Sequence, residues 1–270
     1  MTEKKFKSGF VSIIGRPNVG KSTLLNQMVG EKIAIMSDKP QTTRNKVLAI
    51  LSTEDCQVVF MDTPGIHKPK NKLGEYMVRT ATDTMNEVDV ILLVVEADKS
   101  VGSGELKIIE DLRNIDTPII LVINKIDLVK KDLVLPLIEK YGKLYDFHAI
   151  IPVSALNNDG INIIIEDIKK IIPQGPQYYP EDMITDQPEK QIAAEIIREK
   201  ILQLLQKEVP HGVAVEVVSM KNGGNKNVLE VSANIYCEKD SHKGIIIGNK
   251  GETLKKIGSL ARIDIENLLS

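Results

Sequence analysis

The run Gly15-Arg16-Pro17-Asn18-Val19-Gly20-Lys21-Ser22 spells the pattern G-x-x-x-x-G-K-[ST] in full, the arrangement that lets a loop's backbone N–H groups cradle a polyphosphate. In such a loop Lys21 reaches the β and γ phosphates and the Ser22 hydroxyl ligates Mg²⁺. The pattern needs a strand before it and a helix after it. Phe10 to Ile14 is a short β-branched run suited to a buried strand, and Ser22, Thr23 and the residues on to Val29 place apolar side chains at helical spacing. A strand, a glycine-rich turn and a helix N-terminus then aim several N–H groups and a positive helix end at one spot. The competing reading, a glycine-containing turn that binds nothing, fits poorly with this context on both sides.

Two further groups stand at predicted strand ends. Asp62-Thr63-Pro64-Gly65 follows the third strand, at the edge where open α/β sheets bind ligands. Asp62 is placed to hold Mg²⁺ through water, and the Gly65 N–H to sense a γ-phosphate. Asn124-Lys125-Ile126-Asp127 ends the fifth strand and Ser154-Ala155-Leu156 the sixth. A carboxylate at Asp127 accepts from guanine N1–H and N2–H₂; adenine lacks both donors and would leave that acceptor unpaired, so the site discriminates strongly. The Ala155 N–H would serve guanine O6. Each tetrapeptide alone is weak evidence; in this order, at strand ends after a phosphate loop, they support one another.

The elements that must position these residues alternate. Strands are predicted at 10–14, 46–52, 57–61, 90–95, 119–123 and 149–153, and helices at 21–29, 74–86, 104–114, 133–144 and 161–172. That rhythm predicts βα units and a mostly parallel sheet, with the polar-flanked second strand at an edge. Residues 173–188 break it with four prolines and a glycine, and read as a semi-rigid interdomain linker. Beyond it a helix is predicted over 189–209, two strands over 213–218 and 228–237, and a last helix over 252–269.

Length and composition bound the rest. The 270 residues suffice for two ordinary domains, and 42% hydrophobic with 27% charged residues is a globular balance. Cys56 and Cys237 lie far apart in no C-x-x-C pattern, which fits a reducing compartment and neither a zinc site nor a disulfide framework. The N-terminus lacks an apolar stretch of the signal-peptide kind, and no apolar run reaches membrane-spanning length. Lys and Arg number 23 against 26 Asp and Glu through residue 188, and 12 against 11 after it, so an RNA-binding surface has to be a local patch.

The motif set of residues 8–172 resembles that of the translational-type GTPases, and specifically the bacterial Era group. The resemblance implies a Ras-like P-loop NTPase domain over 1–172 that binds GTP and GDP with Mg²⁺ through Gly15, Arg16, Pro17, Asn18, Val19, Gly20, Lys21, Ser22, Thr23, Asp62, Thr63, Pro64, Gly65, Ile66, Asn124, Lys125, Ile126, Asp127, Ser154 and Ala155. It implies a catalytic set of Lys21, Thr43 and Gly65, with Ser22, Thr43 and Asp62 around Mg²⁺. Thr43, in Gln41-Thr42-Thr43-Arg44, is the switch threonine, with Thr42 as the alternative. Ile66 stands where Ras-like members carry the glutamine that orients the attacking water. Some GTPases with a hydrophobic residue there use K⁺ held by a phosphate-loop asparagine, and Asn18 occupies that position. His67 is given no role.

A second resemblance covers 189–270. Ile247-Gly248-Asn249-Lys250-Gly251 looks like the I-G-x-x-G loop of type II KH domains, which clamps single-stranded nucleic acid between two helices. It implies an α+β domain in which Gly248, Asn249, Lys250 and Gly251 meet phosphates while Ile245, Ile246 and Ile257 floor a base groove. The family pattern continues past Ser270 with another strand and helix, so this domain is expected to be incomplete, with an exposed sheet edge. Together the resemblances imply hydrolysis of GTP, binding of small-subunit ribosomal RNA near its 3′ end, a role in 30S assembly, and RNA binding gated by nucleotide state. A monomer in the cytoplasm, peripherally associated with the inner face of the cell membrane, completes the expectation. Two alternatives are an RNA-binding adaptor that senses nucleotide with negligible hydrolysis, and a GTPase of tRNA modification, against which the KH-like tail argues.

Overall fold

The computed structural model describes residues 6–36, 47–62, 87–205, 212–223 and 228–269. The described residues fall into two compact units. One runs to Ala34 and resumes from the second strand to Asp186; the other holds Ile35, Met36 and the chain from Gln187.

In the first unit the Val- and Ile-rich runs form β1 (Lys7–Gly15), β2 (Val47–Ser52), β3 (Cys56–Asp62), β4 (Val90–Glu96), β5 (Ile119–Asn124) and β6 (Ala149–Pro152). They make one sheet in the order β2-β3-β1-β4-β5-β6. Every pairing is parallel except β2 with β3, and β2 lies at the edge as its flanking polarity suggested. Helices α1 (Lys21–Val29), α2 (Ser103–Leu112), α3 (Val134–Gly142) and α4 (Ile161–Ile171) cover the two faces.

The two-residue period of the strands sorts their side chains. Val11, Ile13, Phe60, Leu92 and Val122 pack with Leu24, Leu25 and Met28 of α1 and Ile161, Ile164 and Ile168 of α4. Ile14, Ile91, Leu93, Leu121 and Ile123 pack on the opposite face with Ile108, Ile109 and Leu112 of α2 and Tyr141 of α3. Each such fully buried side chain contributes about 1.5–3 kcal/mol, so both layers hold the sheet rigid beneath the strand ends that carry the motifs. The helix expected over 74–86 lies outside the described residues.

The proline-rich stretch is bonded to the first unit along most of its length. Ser8 N donates to the Pro173 carbonyl and Gly175 N to that of Phe6, at 3.1 and 3.2 Å. The Gln57 carboxamide accepts from the Tyr178 and Tyr179 amides at 2.8 and 2.9 Å and donates to the Tyr179 carbonyl at 2.9 Å. Ile50 N donates to the Ile184 carbonyl at 2.8 Å, and the Thr185 hydroxyl to that of Leu48 at 2.6 Å. Proline fixes extended backbone but leaves carbonyls and neighbouring amides free to bond, and here residues 173–186 spend them on the first unit.

The second unit consists of α5 (Glu189–Leu204), the antiparallel pair β7 (Val213–Asn222) and β8 (Leu229–Cys237), α6 (Asp240–Ile247), a single 3₁₀ turn (Asn249–Gly251) and α7 (Glu252–Leu269). Its core has two parts. Ile192, Ala193 and Ile196 meet Val217, Ala261 and Ile265, while Ile201 and Leu205 meet Val213, Ile246 and Ile257. Lys200, almost fully buried on α5, pairs with Asp264 of α7. The first helix stops at Leu204 because Leu205 turns to extended backbone; residues 206–211, and 224–227 of the predicted turn, lie outside the described residues.

Candidate functional site

Gly15, Asp62, Asn124 and Ser154 come together at the carboxyl edge of the first sheet because β1, β3, β5 and β6 all end there. The loop after β1 depends on left-handed backbone: Gly15 has φ 147°, Asn18 67° and Gly20 97°. A Cβ on Gly15 would lie 2.4 Å from the Val94 carbonyl oxygen, and one on Gly20 2.2 Å from Asn124 Nδ2. Glycine is therefore required at both positions on two separate grounds. Lys21, the first residue of α1, donates to the carbonyls of Gly15 at 3.2 Å and Arg16 at 2.9 Å. Burial lowers its pKa to about 8, and the nearby Asp62 charge only partly opposes this. An ammonium held in so dry a place gains much from a polyphosphate.

Ser22 Oγ donates to Asp62 Oδ2 at 2.8 Å, and Asp62 is fully buried. Hydroxyl and carboxylate oxygen side by side at the mouth of a phosphate loop fit a hard, oxygen-seeking divalent ion that keeps most of its ligands as water and phosphate. Arg16 and Asn18 are exposed, Pro17 and Thr23 half-buried, and Val19 packs in the core. Thr42, Thr43, Thr63, Pro64, Gly65, Ile66 and His67 lie outside the described residues.

On the other side of the loop, Asn124 acts as a stitch. Its Nδ2 donates to the Val19 carbonyl at 2.9 Å, and its Oδ1 accepts from the Ala155 N–H at 3.0 Å. The Ala155 amide, which the sequence assigns to guanine O6, donates to Asn124 here, and Ala155 is buried. Lys125 adopts φ 65° and donates to the Asn18 carbonyl at 2.8 Å, while Glu96 at the end of β4 pairs with the same ammonium. Asp127 is exposed, and the buried Ser154 hydroxyl donates to its Oδ1 at 2.5 Å. The carboxylate is therefore oriented from below and open above. Ile126 N is tied to the Val153 carbonyl at 3.2 Å.

Sequence reading missed Glu96 and Glu105, which brace Lys125 and Arg16 from positions 29 and 89 residues away. No spacing rule links a β4 carboxylate to the loop after β5 or an α2 carboxylate to the loop after β1; only the sheet order brings them near.

In the second unit, Gly248 (φ 72°), Lys250 (48°) and Gly251 (81°) form a tight turn between α6 and α7. A Cβ at Gly248 would sit 2.1 Å from Thr253 Oγ1. Asn249 and Lys250 are exposed on its crest and Gly251 is half-buried. Ile245 is half exposed, but Ile246 and Ile257 are buried in the core at 3% and 1% exposure. The helical phase of α6 and α7 turns these two inward, into the core, where the sequence expectation had placed them beneath a base groove together with Ile245.

A phosphate loop, a carboxylate and hydroxyl beside it, and an oriented acidic residue at the end of β5 define a P-loop GTPase domain; the Gly-x-x-Gly turn between two helices defines a KH domain after it. The 50S ribosome-binding GTPase family matches residues 10–125 and the KH domain family residues 208–270. GTPase Era of Ruminiclostridium cellulolyticum is 59% identical over 98% of this chain and 88% of its own, and GTPase Era of Clostridioides difficile 59% over 98% and 89%. The chain belongs to the family of GTPase Era. Among solved structures, Era in complex with MgGDPNP and nucleotides 1506–1542 of 16S ribosomal RNA is 41% identical with a TM-score of 0.92, over 98% of this chain and 90% of that one. An Aquifex aeolicus Era variant bound to GDP and AlF₄⁻ gives 41% and 0.93 over the same shares.

Proposed function

We propose that this GTPase binds GTP and GDP at the carboxyl edge of its first sheet, hydrolyses GTP with Mg²⁺, and lets nucleotide state gate binding of small-subunit ribosomal RNA near its 3′ end during 30S assembly. The observation that carries it is the convergence of Lys21, the Ser22 and Asp62 pair and the Ser154-oriented Asp127 on one sheet edge. Loop amides and Lys21 hold the phosphates and offset charge that builds as water attacks in line. Ser22 and Asp62 would hold Mg²⁺, which supplies charge neutralisation at the β and γ phosphates when bound. Thr43 and Gly65 are assigned to the γ-phosphate by family resemblance. Asn18, on the loop at φ 67°, is assigned to K⁺. The Gly248 to Gly251 turn, with exposed Asn249 and Lys250, takes the RNA backbone. A monomer in the cytoplasm, with peripheral attachment at the inner face of the cell membrane, belongs to the same reading; among the described residues no helix is long and apolar enough to cross a membrane.

Multiple-turnover phosphate release, in K⁺ and in Na⁺ at equal ionic strength and with and without a 3′-terminal fragment of small-subunit RNA, tests the reading. Turnover is expected in both salts and is several-fold faster in K⁺, a difference that Asn18→Ala removes. Equal rates would take K⁺ out of the mechanism, and no turnover would leave a nucleotide-sensing adaptor. Replacing Asn249 and Lys250 together by Asp sets two carboxylates where phosphates should lie, and like charges repel most where water is partly excluded. Filter binding of single-stranded RNA is expected to fall at least about tenfold with GTP binding unchanged. Full RNA affinity in that variant would remove the turn from the RNA site.

A further inference from the structure

Arg16 lies inside the phosphate loop, yet its side chain is anchored elsewhere. Its Nη1 donates to Glu105 Oε1 at 2.9 Å. Glu105 stands in the first turn of α2 with its side chain only 7% exposed, and its other oxygen accepts from the Gly102 N–H at 3.1 Å. The guanidinium rests against Gly104, where a Cβ would come 2.9 Å from Arg16 Nε and 3.0 Å from Cδ. Burial pushes the Glu105 carboxyl up, but the hydrogen bonds and charge of Arg16, with those of the backbone, outweigh it and hold the carboxyl below its ordinary value. The buried Tyr141 behind it is raised, first by burial and then by the Glu105 charge, so it stays a neutral phenol. A carboxylate this deep is strongly destabilising without its cation.

The backbone end of the same residue is equally committed, since the Arg16 carbonyl accepts from Lys21 Nζ at 2.9 Å. Arg16 thus links the start of α2 to the lysine that faces the phosphates. The loop it crosses contains three residues in left-handed backbone, a shape that an unsupported chain would populate only in part. Any fraction of molecules in other loop shapes lowers nucleotide affinity in proportion.

We propose that Glu105 is a positioning residue for the phosphate loop, clasping Arg16 so that the loop is held in its nucleotide-binding shape and release of a guanine nucleoside diphosphate is slowed. The proposal rests on the guanine-nucleotide reading above, and wild-type binding of fluorescent GDP checks that reading separately. Glu105→Gln keeps the size of the side chain and an oxygen for the Gly102 N–H, and removes the charge that holds Arg16. Stopped-flow release of fluorescent GDP is expected to be about five- to tenfold faster in Glu105→Gln, equally faster in Arg16→Gln, and no faster in the double variant. KM for GTP should rise by a similar factor with kcat within twofold, because the clasp acts on binding throughout. Gly104→Ala, which displaces the guanidinium while leaving Glu105 in place, should reproduce the faster release and serves if Glu105→Gln melts early. Release rates in Glu105→Gln and Gly104→Ala within twofold of wild type, or effects that multiply in the double variant, would overturn the clasp and leave Glu105 as a helix cap. A wild-type chain that binds no GDP would overturn the nucleotide reading instead.

Discussion

Asp127→Asn is expected to reverse the base preference of the first unit, lowering GTP affinity by about a hundredfold to a thousandfold and raising that for XTP above it. The wild-type carboxylate presents acceptors to the two donors on the guanine edge, with one oxygen already oriented by the Ser154 hydroxyl at 2.5 Å. Asparagine keeps that bond through its carbonyl oxygen and turns the other end into an NH₂ donor. That donor opposes the guanine amino group and suits the carbonyl that xanthine carries in its place. Because Asp127 is exposed and Ser154 buried, the exchange alters recognition without disturbing the core. Competition titrations of GTP and XTP against a fluorescent guanine nucleotide measure it; an unchanged preference would detach Asp127 from base reading.

The second large effect belongs to Gly20→Ala, for which GDP affinity is expected to fall by about a hundredfold. Three costs coincide. An alanine at φ 97° leaves its favoured region at about 1 kcal/mol or more. Its Cβ would lie 2.2 Å from Asn124 Nδ2, so the carboxamide has to leave. Departure breaks the bonds to the Val19 carbonyl and the Ala155 amide, at about 1 kcal/mol each. About 3 kcal/mol is two powers of ten in affinity. Isothermal titration of GDP gives the number, and a loss under threefold would mean that the stitch through Asn124 does not shape the site.

How much of this was legible in the residues depended on how local the cause was. The phosphate loop announces itself because a left-handed turn demands glycine at 15 and 20 and the chemistry demands Lys21 and Ser22, all within one octapeptide. The mostly parallel sheet and its shared carboxyl edge followed from buried Val and Ile runs alternating with helices, and β2 was placed at the edge by its polar flank, while the order of the strands came only with the structure. Partnership across the sheet was not legible: Gln57 looks like one polar residue in a strand, and only its three bonds to Tyr178 and Tyr179 reveal why a buried carboxamide is tolerated there. The same gap left 173–188 as a semi-rigid linker without named partners, since prolines declare stiffness and say nothing of what the neighbouring amides bond. Ile245 and Ile246 were read alike, although one residue of helical phase sends the first outward and the second into the core. The second role of Asn124 was hidden for a related reason: its motif explains a ligand contact, while the geometry adds a tie between two loops.

The strap formed by residues 173–186 also bears on how the borders of the first sheet are guarded. The border of an open sheet offers bare amides and carbonyls to any passing chain, and growth of such borders is a route to aggregation. Here the Ile50 N–H and the Leu48 carbonyl of β2 are taken by Ile184 and Thr185, and the opposite border, β6, is only four residues long and ends in Pro152, which has no N–H to give. The first unit thus carries its own protection against intermolecular strand addition, and at β2 that protection comes from the stretch of chain that leads into the second unit.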